Sequence, residues 1–462
     1  MSDSSDPAST GGASARGGAH VAGGASVAGS ASAPGGALAD LRVVEFAQAL
    51  AVPYCGKLLA DMGADVVKIE PPRGDTYRLQ RRTHVKHEGR DFAICNRGKR
   101  SLCLDLTQPA SADVVDKLVA EADVVLVSMK GADVPRYGLD YERLRKLRPN
   151  LVYLQNTPYG SEGPLALQGG YDVLAMGLSG MSAVLASPED GGATPRFVRP
   201  ALADIVTGML SALAVVTAIR HRDQTGEGQR VETSLFHTSL GLISNMFYRY
   251  EKIDGEHMDA FADVLTNLRE EGAGFDQQQS AFRDHFGGWP AGNIYFRHYR
   301  TRNGFLSVGC LSPRLNERFR EATGLVDPRG IRGFDEASAE GVKALDLLTA
   351  ESEAIFAERT TEEWLAHLEE HSVPSARLNF PHEIFDDPQA LANGYIESLE
   401  HPTLGTYQTV TSPIKMDGTP LSARGPSPAL GAHTDAVLGE VGFSDAELRA
   451  LREANVVGRY DE

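Results

Sequence analysis

Residues 41–72, LRVVEFAQALAVPYCGKLLADMGADVVKIEPP, decide the fold of this chain. Val43–Phe46 is a short run of β-branched and aromatic residues, Tyr54–Met62 has apolar residues at helical spacing, and Val66–Ile69 is a second apolar run. Two short apolar runs on either side of a helical pattern predict a β-α-β unit whose strands are parallel and buried.

The turn between the first strand and the helix lacks the glycines that a dinucleotide-binding fold places there. A G-x-G-x-x-G turn lets the backbone approach a pyrophosphate closely, whereas residues 47–53 of this chain read AQALAVP. The sequence therefore argues against NAD binding.

The same alternation of strands and helices continues to about Tyr159. The further strand-like runs are Ser101–Leu104, Val124–Ser128 and Leu151–Gln155, and the further helical patterns are Ser111–Ala120 and Tyr141–Lys146. Such alternation is typical of an α/β fold with a parallel sheet covered on both faces. An apolar helix at Ile205–Arg222 follows, and we predict a Rossmann-like large α/β domain over residues 37–236.

The second half of the chain has a different pattern. Residues 237–292 contain a polar, acidic stretch without a strand period, which we interpret as an irregular connection with one short helix. Two strand-like runs split by a Thr-Arg-Asn-Gly turn then predict a hairpin that opens a smaller α+β domain over residues 293–393. Residues 394–462 form a β-rich C-terminal segment that returns to the large domain and ends in a helix.

The N-terminus and the hydropathy pattern bear on location. Residues 1–36 are mostly Ala, Gly and Ser without an apolar run, which favours a disordered tail over a targeting sequence. No later segment reaches the roughly 18 to 20 apolar residues of a membrane span. The longest candidate, residues 205–219, is interrupted by small and polar residues.

The charge and the cysteines restrict the partners. A net charge of −17 argues against a nucleic-acid partner, which needs a basic face. The strongest cationic run, residues 78–90 (RLQRRTHVKHEGR), is either a solvated loop or a local anion site. The four cysteines form no C-x-x-C pair for zinc or redox exchange, so we predict a cytoplasmic protein without a metal.

Several segments, in order along the chain, resemble those of the class III coenzyme A transferases, the family of formyl-CoA transferase, carnitine CoA-transferase and α-methylacyl-CoA racemase. They are GADVVKIEPPRGD at 63–75, NRGKRSLCLDL at 96–106, YGSEGP at 159–164, GGYDVLAMGLSG at 169–180, ALADIVTGML at 201–210, TGEGQRVETSL at 225–235 and ALGAHTDAVLGEVG at 429–442. The resemblance implies a CoA-binding large domain and an acyl-CoA:carboxylate CoA-transferase, with the CoA thioester as substrate and no resident cofactor. It also implies a homodimer of interlocked chains, with each active site between the large domain of one chain and the small domain of the other.

Asp204 is the candidate nucleophile. The family's transferases use an Asp in a segment such as A-D-x-x-x-G, and residues 203–208 read ADIVTG. The resemblance implies that Asp204 attacks an acyl-CoA thioester, gives a mixed anhydride and then carries CoA as an aspartyl thioester. From the residues alone, an N-cap of the following helix is the commoner role of such an Asp, and one residue could do both.

Asp172 is the second candidate catalytic carboxylate. The alternative is a structural role, in which Asp172 caps a helix over residues 173–178. A matching acid in the family's racemases works with a histidine, but no histidine occurs between His87 and His221. Two-base proton exchange needs both groups, so a racemase or isomerase is the weaker interpretation. A catalytically silent CoA-binding subunit is a further alternative, against which the presence of Asp204 speaks.

The resemblance also implies the CoA contacts. The matching positions are Ala49 and Leu50 after the first strand, Leu104 and Asp105 in the third, Ser128, Met129 and Lys130 after the fourth, and Arg136 in the next turn, with Arg73 as a further candidate. Cations suit the phosphates of CoA, although any single cation is more often a solvated surface group. The chain departs from the family at Val52, Pro71 and Gly169, where Gly, Arg and Lys are usual. The nearest counterpart of the glycine-rich covering loop is residues 286–292, which also fit an ordinary Gly/Pro turn.

Overall fold

The structure is a computed structural model that describes residues 35–80, 83, 85–186, 200–246, 249–286 and 292–458. The fold and the site are given for this part of the chain. Most of the predicted N-terminal tail, residues 1–34, lies outside it.

A six-stranded sheet organises the first half of the chain. Its strands are β1 (Arg42–Phe46), β2 (Asp65–Glu70), β3 (Arg100–Cys103), β4 (Val124–Ser128), β5 (Val152–Thr157) and β6 (Gln229–Ser234). The spatial order is β3-β2-β1-β4-β5-β6, and every neighbouring pair is parallel. The predicted parallel α/β sheet is thereby confirmed. The strand order reverses between β1 and β4, and open sheets of this kind bind ligands at that point.

Helices cover both faces of this sheet. They are α1 (Ala51–Asp61), α2 (Arg90–Asn96), α3 (Ser111–Ala120), α4 (Asp133–Arg136), α5 (Tyr141–Leu147), α6 (Asp172–Leu178), α7 (Met181–Leu185), α8 (Leu202–Thr225) and α9 (Leu235–Leu242). One hydrophobic core lies between the sheet and α1 with α8. The other lies on the opposite face, against α3 and α5 and the last residues of the chain. Strands β1, β2, β4 and β5 are therefore buried on both sides, which explains their largely apolar sequences, whereas β6 is a partly exposed edge strand.

Two helices start earlier than the sequence pattern indicates. The helix predicted from Tyr54 begins at Ala51, because Pro53 fits the first helical turn, where backbone N–H groups have no intrahelical acceptor. The helix predicted from Ile205 begins at Leu202, so that Asp204 lies inside its first turn.

Among the described residues, α8 is a helix that is long and apolar enough to cross a membrane. The hydropathy pattern predicts no segment of that length. Helix α8 instead packs against α1 and on β5 and β6, and its apolar face belongs to the core of the large sheet. Burial in a core makes a helix apolar around much of its circumference, as a bilayer does.

The prediction of an irregular connection over residues 237–292 is wrong for much of that range. After α9, the chain forms two long helices, α10 (Glu251–Glu270) and α11 (Phe275–Phe286). Apolar side chains recur at helical spacing at Met258, Phe261, Leu265 and Leu268, but seven acids between Glu251 and Glu271 obscure the pattern.

The remaining elements are β7 (Phe296–Arg300), β8 (Phe305–Gly309), α12 (Pro313–Thr323), α13 (Ala339–Ala357), α14 (Thr361–Glu370), β9 (Ser375–Arg377), α15 (Pro388–Ala392), β10 (Ile396–His401), β11 (Gly405–Val410), α16 (Thr434–Glu440) and α17 (Asp445–Glu453). Strands β7, β8 and β9 form an antiparallel sheet with its own core, in which Tyr299, Phe319, Phe356 and Trp364 stack. Helices α16 and α17 pack on the large sheet, where Val457 bridges to Leu104.

A buried ionic network lies between β1, β2 and α1. Lys68 Nζ contacts Glu45 Oε1 at 3.0 Å and Asp75 Oδ2 at 2.9 Å, and Lys99 Nζ contacts Glu45 Oε2 at 2.8 Å. All four side chains are fully buried. Gly56 makes room for this network, because a Cβ there would lie 2.0 Å from Glu45 Oε2.

The network continues toward the C-terminal segment. Asp75 N–H donates to Glu70 Oε2 at 3.1 Å, and Arg78 forms a two-pronged ion pair with Glu70. Arg78 also donates to the carbonyl of Pro428 at 2.9 Å. The network therefore connects the segment that follows β2 to the C-terminal segment of the chain.

Candidate active site

A cleft of about 1010 Å³ opens at the carboxyl edge of the large sheet, around the point where the strand order reverses. The predicted site residues that line it are Ala49, Leu50, Arg73, Leu104, Asp105, Ser128, Met129, Lys130 and Asp204. Leu104 and Asp105 directly follow β3 rather than lie within it. The structure thus gathers residues that are up to 155 positions apart in sequence (Ala49 to Asp204).

Asp204 enters the cleft from the first turn of α8. The N-cap of α8 is Ala201, so the interpretation of Asp204 as an N-cap is wrong. The Asp204 carboxylate therefore does not make the N-cap hydrogen bond of α8. Burial, followed by the charge of Asp172, raises the pKa of Asp204 to about 7.

This pKa sets the pH range in which Asp204 is an anion. The carboxylate is the nucleophilic form of a carboxylic acid, and the anionic fraction of Asp204 increases as the pH rises through about 7. A carboxylate of higher basicity is also a stronger nucleophile than an ordinary aspartate.

Asp172 lies behind Asp204 and just outside the residues that line the cleft. It is the first residue of α6, whose N-cap is Tyr171, so Asp172 does not cap its own helix. Its Oδ2 instead accepts the backbone N–H of Asp204 at 3.1 Å. Burial raises the pKa of Asp172, while the N–H groups of Asp204 and Ala203 oppose the shift.

Two cations face the cleft. Arg73 and Lys130 are exposed and line it, and neither forms an ion pair with a carboxylate in the described ranges. Lys130 extends across Gly169, where a Cβ would lie 3.1 Å from Lys130 Cε, so the absence of a side chain at Gly169 leaves space for the lysine. Arg136 ends α4 outside the cleft lining, mostly exposed and 3.7 Å from Asp133.

The loop between β1 and α1 is held from beneath by the ionic network. Lys68 Nζ donates to the carbonyl oxygen of Ala47 at 2.7 Å, and Asp75 Oδ1 accepts the N–H of Ala49 at 3.1 Å. Ala49 has a φ of +67°, a left-handed conformation that costs a non-glycine residue about 1 kcal/mol or more. The buried side chains therefore hold a strained backbone at the bottom of the cleft.

Sequence reasoning missed several residues of this site. Glu45, Lys68 and Asp75 support it from below, and Gln48, Thr76, Asn156 and Tyr171 line it. Glu45 and Lys68 did carry a signal, because single charges inside apolar strands of a buried sheet require partners.

The predicted covering loop was residues 286–292, of which residues 287–291 lie outside the described part of the chain. Of the described residues, none that lines the cleft is a histidine or a cysteine. Within the same part of the chain, no group of three or more His, Cys, Asp or Glu side chains is arranged to hold a metal ion. The described cleft lining has three carboxylates, Asp105, Asp133 and Asp204, and the pKa of Asp204 is raised to about 7.

Comparison with known proteins connects this cleft to a family. The family model described as CoA-transferase family III matches residues 38–434. The chain is 33% identical over 413 residues to a succinate–glutarate CoA-transferase of Agrobacterium fabrum, covering 87% of this chain and 95% of that protein. It is 32% identical over 419 residues to a succinyl-CoA:mesaconate CoA-transferase of Haloarcula marismortui, covering 88% and 96%.

Solved structures show the same fold. A protein of the CAIB/BAIF family from Brucella suis is 27% identical with a TM-score of 0.68, covering 88% of this chain and all of that chain. A protein from M. tuberculosis is 23% identical with a TM-score of 0.65, covering 88% and 99%.

Proposed function

This chain belongs to CoA-transferase family III, and we propose that it moves CoA between two carboxylic acids through covalent intermediates on Asp204. The observation that carries the proposal is the position of Asp204, which lies in the first turn of α8, in the cleft, with a pKa raised to about 7. A carboxylate that is both accessible and destabilised as an anion is suited to acyl capture.

The reaction proceeds in two exchanges. The Asp204 carboxylate attacks the thioester carbonyl, the C–S bond breaks, and a mixed anhydride and CoA thiolate form. The thiolate then attacks the aspartyl carbonyl of the anhydride, which releases the first acid and leaves CoA as a thioester on Asp204. A second acid reverses these steps and departs as the new acyl-CoA. The exchanges balance without a metal or a redox cofactor, so we propose that the protein uses none.

The loops at the sheet edge are the proposed CoA site. Arg73 and Lys130 offer charge-assisted hydrogen bonds to the phosphates. Ala49 and Leu50, Ser128 and Met129, and residues 104 and 105 line the same cleft as these cations and Asp204. Arg136 joins this site when its exposed side chain turns toward the cleft, away from Asp133 and the ring of Tyr137.

The proposed substrates are small dicarboxylic acids and their CoA thioesters, because the names of the two relatives quoted above specify succinate, glutarate and mesaconate. We expect the protein to convert succinyl-CoA and glutarate into succinate and glutaryl-CoA. The test is mass spectrometry of free acids and CoA esters after incubation with a panel of acyl-CoA donors and mono- and dicarboxylic acceptors. Failure of every donor and acceptor pair would contradict transfer, and a preference for monocarboxylic acids would contradict the substrate class.

Two other functions are weaker. A racemase or isomerase would exchange the α-proton of its acyl-CoA with solvent, and the histidine that such a reaction pairs with Asp172 is missing from the described cleft lining. Deuterium uptake from heavy water without an acceptor acid would favour it. A silent CoA-binding subunit would bind the thioester and transfer nothing.

The proposed assembly is an interlocked homodimer in the cytoplasm. Helices α6 and α8 lie side by side and expose large apolar side chains, with Leu178 50% and Leu213 63% accessible. Neighbouring apolar residues exposed on adjacent helices mark an interaction surface, and a second copy of the chain is the occupant that the family resemblance implies.

We expect a dimer that does not dissociate at nanomolar concentration, because interlocked chains bury far more than an ordinary interface of ~1,600 Å². Mass photometry would show the dimer peak alone. Isotope-labelled and unlabelled dimers should form mixed dimers after co-refolding but not after mixing in the native state. A stable monomer, or exchange of native subunits within minutes, would contradict the interlocked arrangement.

A further inference from the structure

Asp172 lies across the N-terminus of a helix to which it does not belong. The first turn of α8 has no side-chain cap from its own N-cap residue, Ala201. Asp172, on α6, supplies a carboxylate oxygen 3.1 Å from the N–H of Asp204. A carboxylate at this place satisfies an N–H group that the helix leaves free and is stabilised by the helix dipole.

Apart from this hydrogen bond, few groups stabilise the negative charge of Asp172. Asp172 is 5% exposed, and no Lys, Arg or His of the described ranges forms an ion pair with it. Its second oxygen, Oδ1, is buried without a hydrogen-bond partner in the same part of the chain. Two carboxyl groups, Asp172 and Asp204, therefore share one helix terminus with little solvent to separate their charges.

We propose that Asp172 is a positioning residue that favours the covalent forms of Asp204 over its free carboxylate. The inference rests on the proposed transfer through Asp204. In both the anhydride and the CoA thioester Asp204 carries no charge, because the negative charge has left with CoA thiolate or with the released acid. Repulsion from Asp172 raises the free energy of the unacylated carboxylate alone, so it shifts the equilibrium toward the acylated protein.

Other titratable groups do not take this role in the described structure. Those on the elements packed against α8 are Tyr54, Cys55, Lys57 and Asp61 on α1, Tyr153 on β5, Arg230 and Glu232 on β6, and His237 on α9. Besides burial, Asp172 is the one group that raises the pKa of Asp204. Tyr77 lies near enough for the charge of Asp204 to contribute, after burial, to a raised phenol pKa, but a neutral phenol adds no charge.

The test separates the charge of Asp172 from its hydrogen bond. Asp172→Asn keeps an oxygen that accepts the N–H of Asp204 and removes the charge, whereas Asp172→Ala removes both. With succinyl-CoA at pH 8, the ratio of CoA-thioester protein to free protein, measured by intact mass spectrometry after an acid quench, should be severalfold lower in Asp172→Asn than in the wild type. The rise of kcat/KM with pH should begin at lower pH than in the wild type.

Asp113→Asn is the control, since Asp113 is an exposed carboxylate on α3 outside the cleft lining and does not shift the pKa of Asp204. It should leave the midpoint of the pH profile in place. If Asp172→Asn gives the wild-type profile and the wild-type ratio of thioester to free protein, Asp172 is a structural cap and the inference is overturned. If the wild type itself forms no CoA adduct with any donor, the proposed function fails instead.

Discussion

Asp204→Asn is expected to lower CoA transfer by about 10⁴-fold or more while the protein still folds and binds CoA. Single removal of a covalent nucleophile costs roughly this factor in enzymes that depend on one. An amide cannot form the anhydride, and the described cleft lining offers no cysteine or histidine that could replace the carboxylate. The measurement is the initial rate of glutaryl-CoA formation from succinyl-CoA and glutarate.

A trapping experiment identifies the site of modification. Wild-type protein treated with succinyl-CoA and hydroxylamine should carry a hydroxamate at Asp204, located by peptide mass spectrometry, and Asp204→Asn should carry none. Asp133→Asn, which removes another cleft carboxylate, should be trapped like the wild type. Transfer by Asp204→Asn at more than about a tenth of the wild-type rate would be incompatible with a covalent Asp204, given the loss expected for a nucleophile.

Stability measurements are the test of whether such a loss of activity is chemical or a folding defect. Because the pKa of Asp204 is raised in the folded protein, folding favours its protonated form. The contribution of this group to stability is present below its unfolded pKa and is lost as the pH rises through about 7. Asparagine does not ionise, so Asp204→Asn should melt no lower than the wild type at pH 8. A lower melting temperature there would point to damage of the helix terminus.

The amino-acid sequence contained enough information for the large sheet and for most of the cleft. Apolar runs such as Val66–Ile69 and Val124–Ser128 are buried on both faces, and parallel strands of this kind place their carboxyl ends at one edge. Residues that follow different strands, such as Ala49, Leu104 and Met129, therefore meet in one cleft although they are far apart in sequence.

The remaining features depend on contacts that no local pattern encodes. An Asp before an apolar helix fits an N-cap, yet the chain places Asp204 three residues beyond the N-cap and takes the cap from Asp172, 32 residues earlier. Helix α10 escaped detection because six acids are interspersed among its apolar residues. In both cases tertiary packing outweighs the local preference.

Lys68→Met is expected to lower the free energy of unfolding by about 3 to 5 kcal/mol, the usual cost of breaking a buried ion pair from one side. Burial opposes the charge of Lys68, but the carboxylates of Asp75 and Glu45 hold its pKa above the usual value. Methionine has a similar length without a charge, so it leaves these two buried carboxylates with one cation fewer between them. The measurement is the urea midpoint of unfolding at fixed protein concentration.

An exposed cation gives the matched comparison. Arg145 pairs with Glu142 on α5 at 3.7 Å, with side chains 52% and 75% exposed. Arg145→Met should cost no more than about 1 kcal/mol, because exposed ion pairs contribute little. Equal effects of Lys68→Met and Arg145→Met would show that the buried network does not stabilise the fold.

The network also bears on CoA binding, because Lys68 Nζ holds the carbonyl oxygen of Ala47 and Asp75 holds the N–H of Ala49. Loss of Lys68 frees a strained loop that lines the cleft, so CoA affinity, measured by calorimetry at a temperature where the variant is folded, should fall as well. Adding Asp75→Asn to Lys68→Met removes one uncompensated charge and should restore part of the stability. It should not restore CoA affinity, since the hydrogen bond from Lys68 Nζ to the carbonyl oxygen of Ala47 stays lost. If the double variant recovered both properties, the loop would be fixed by packing and not by these charges.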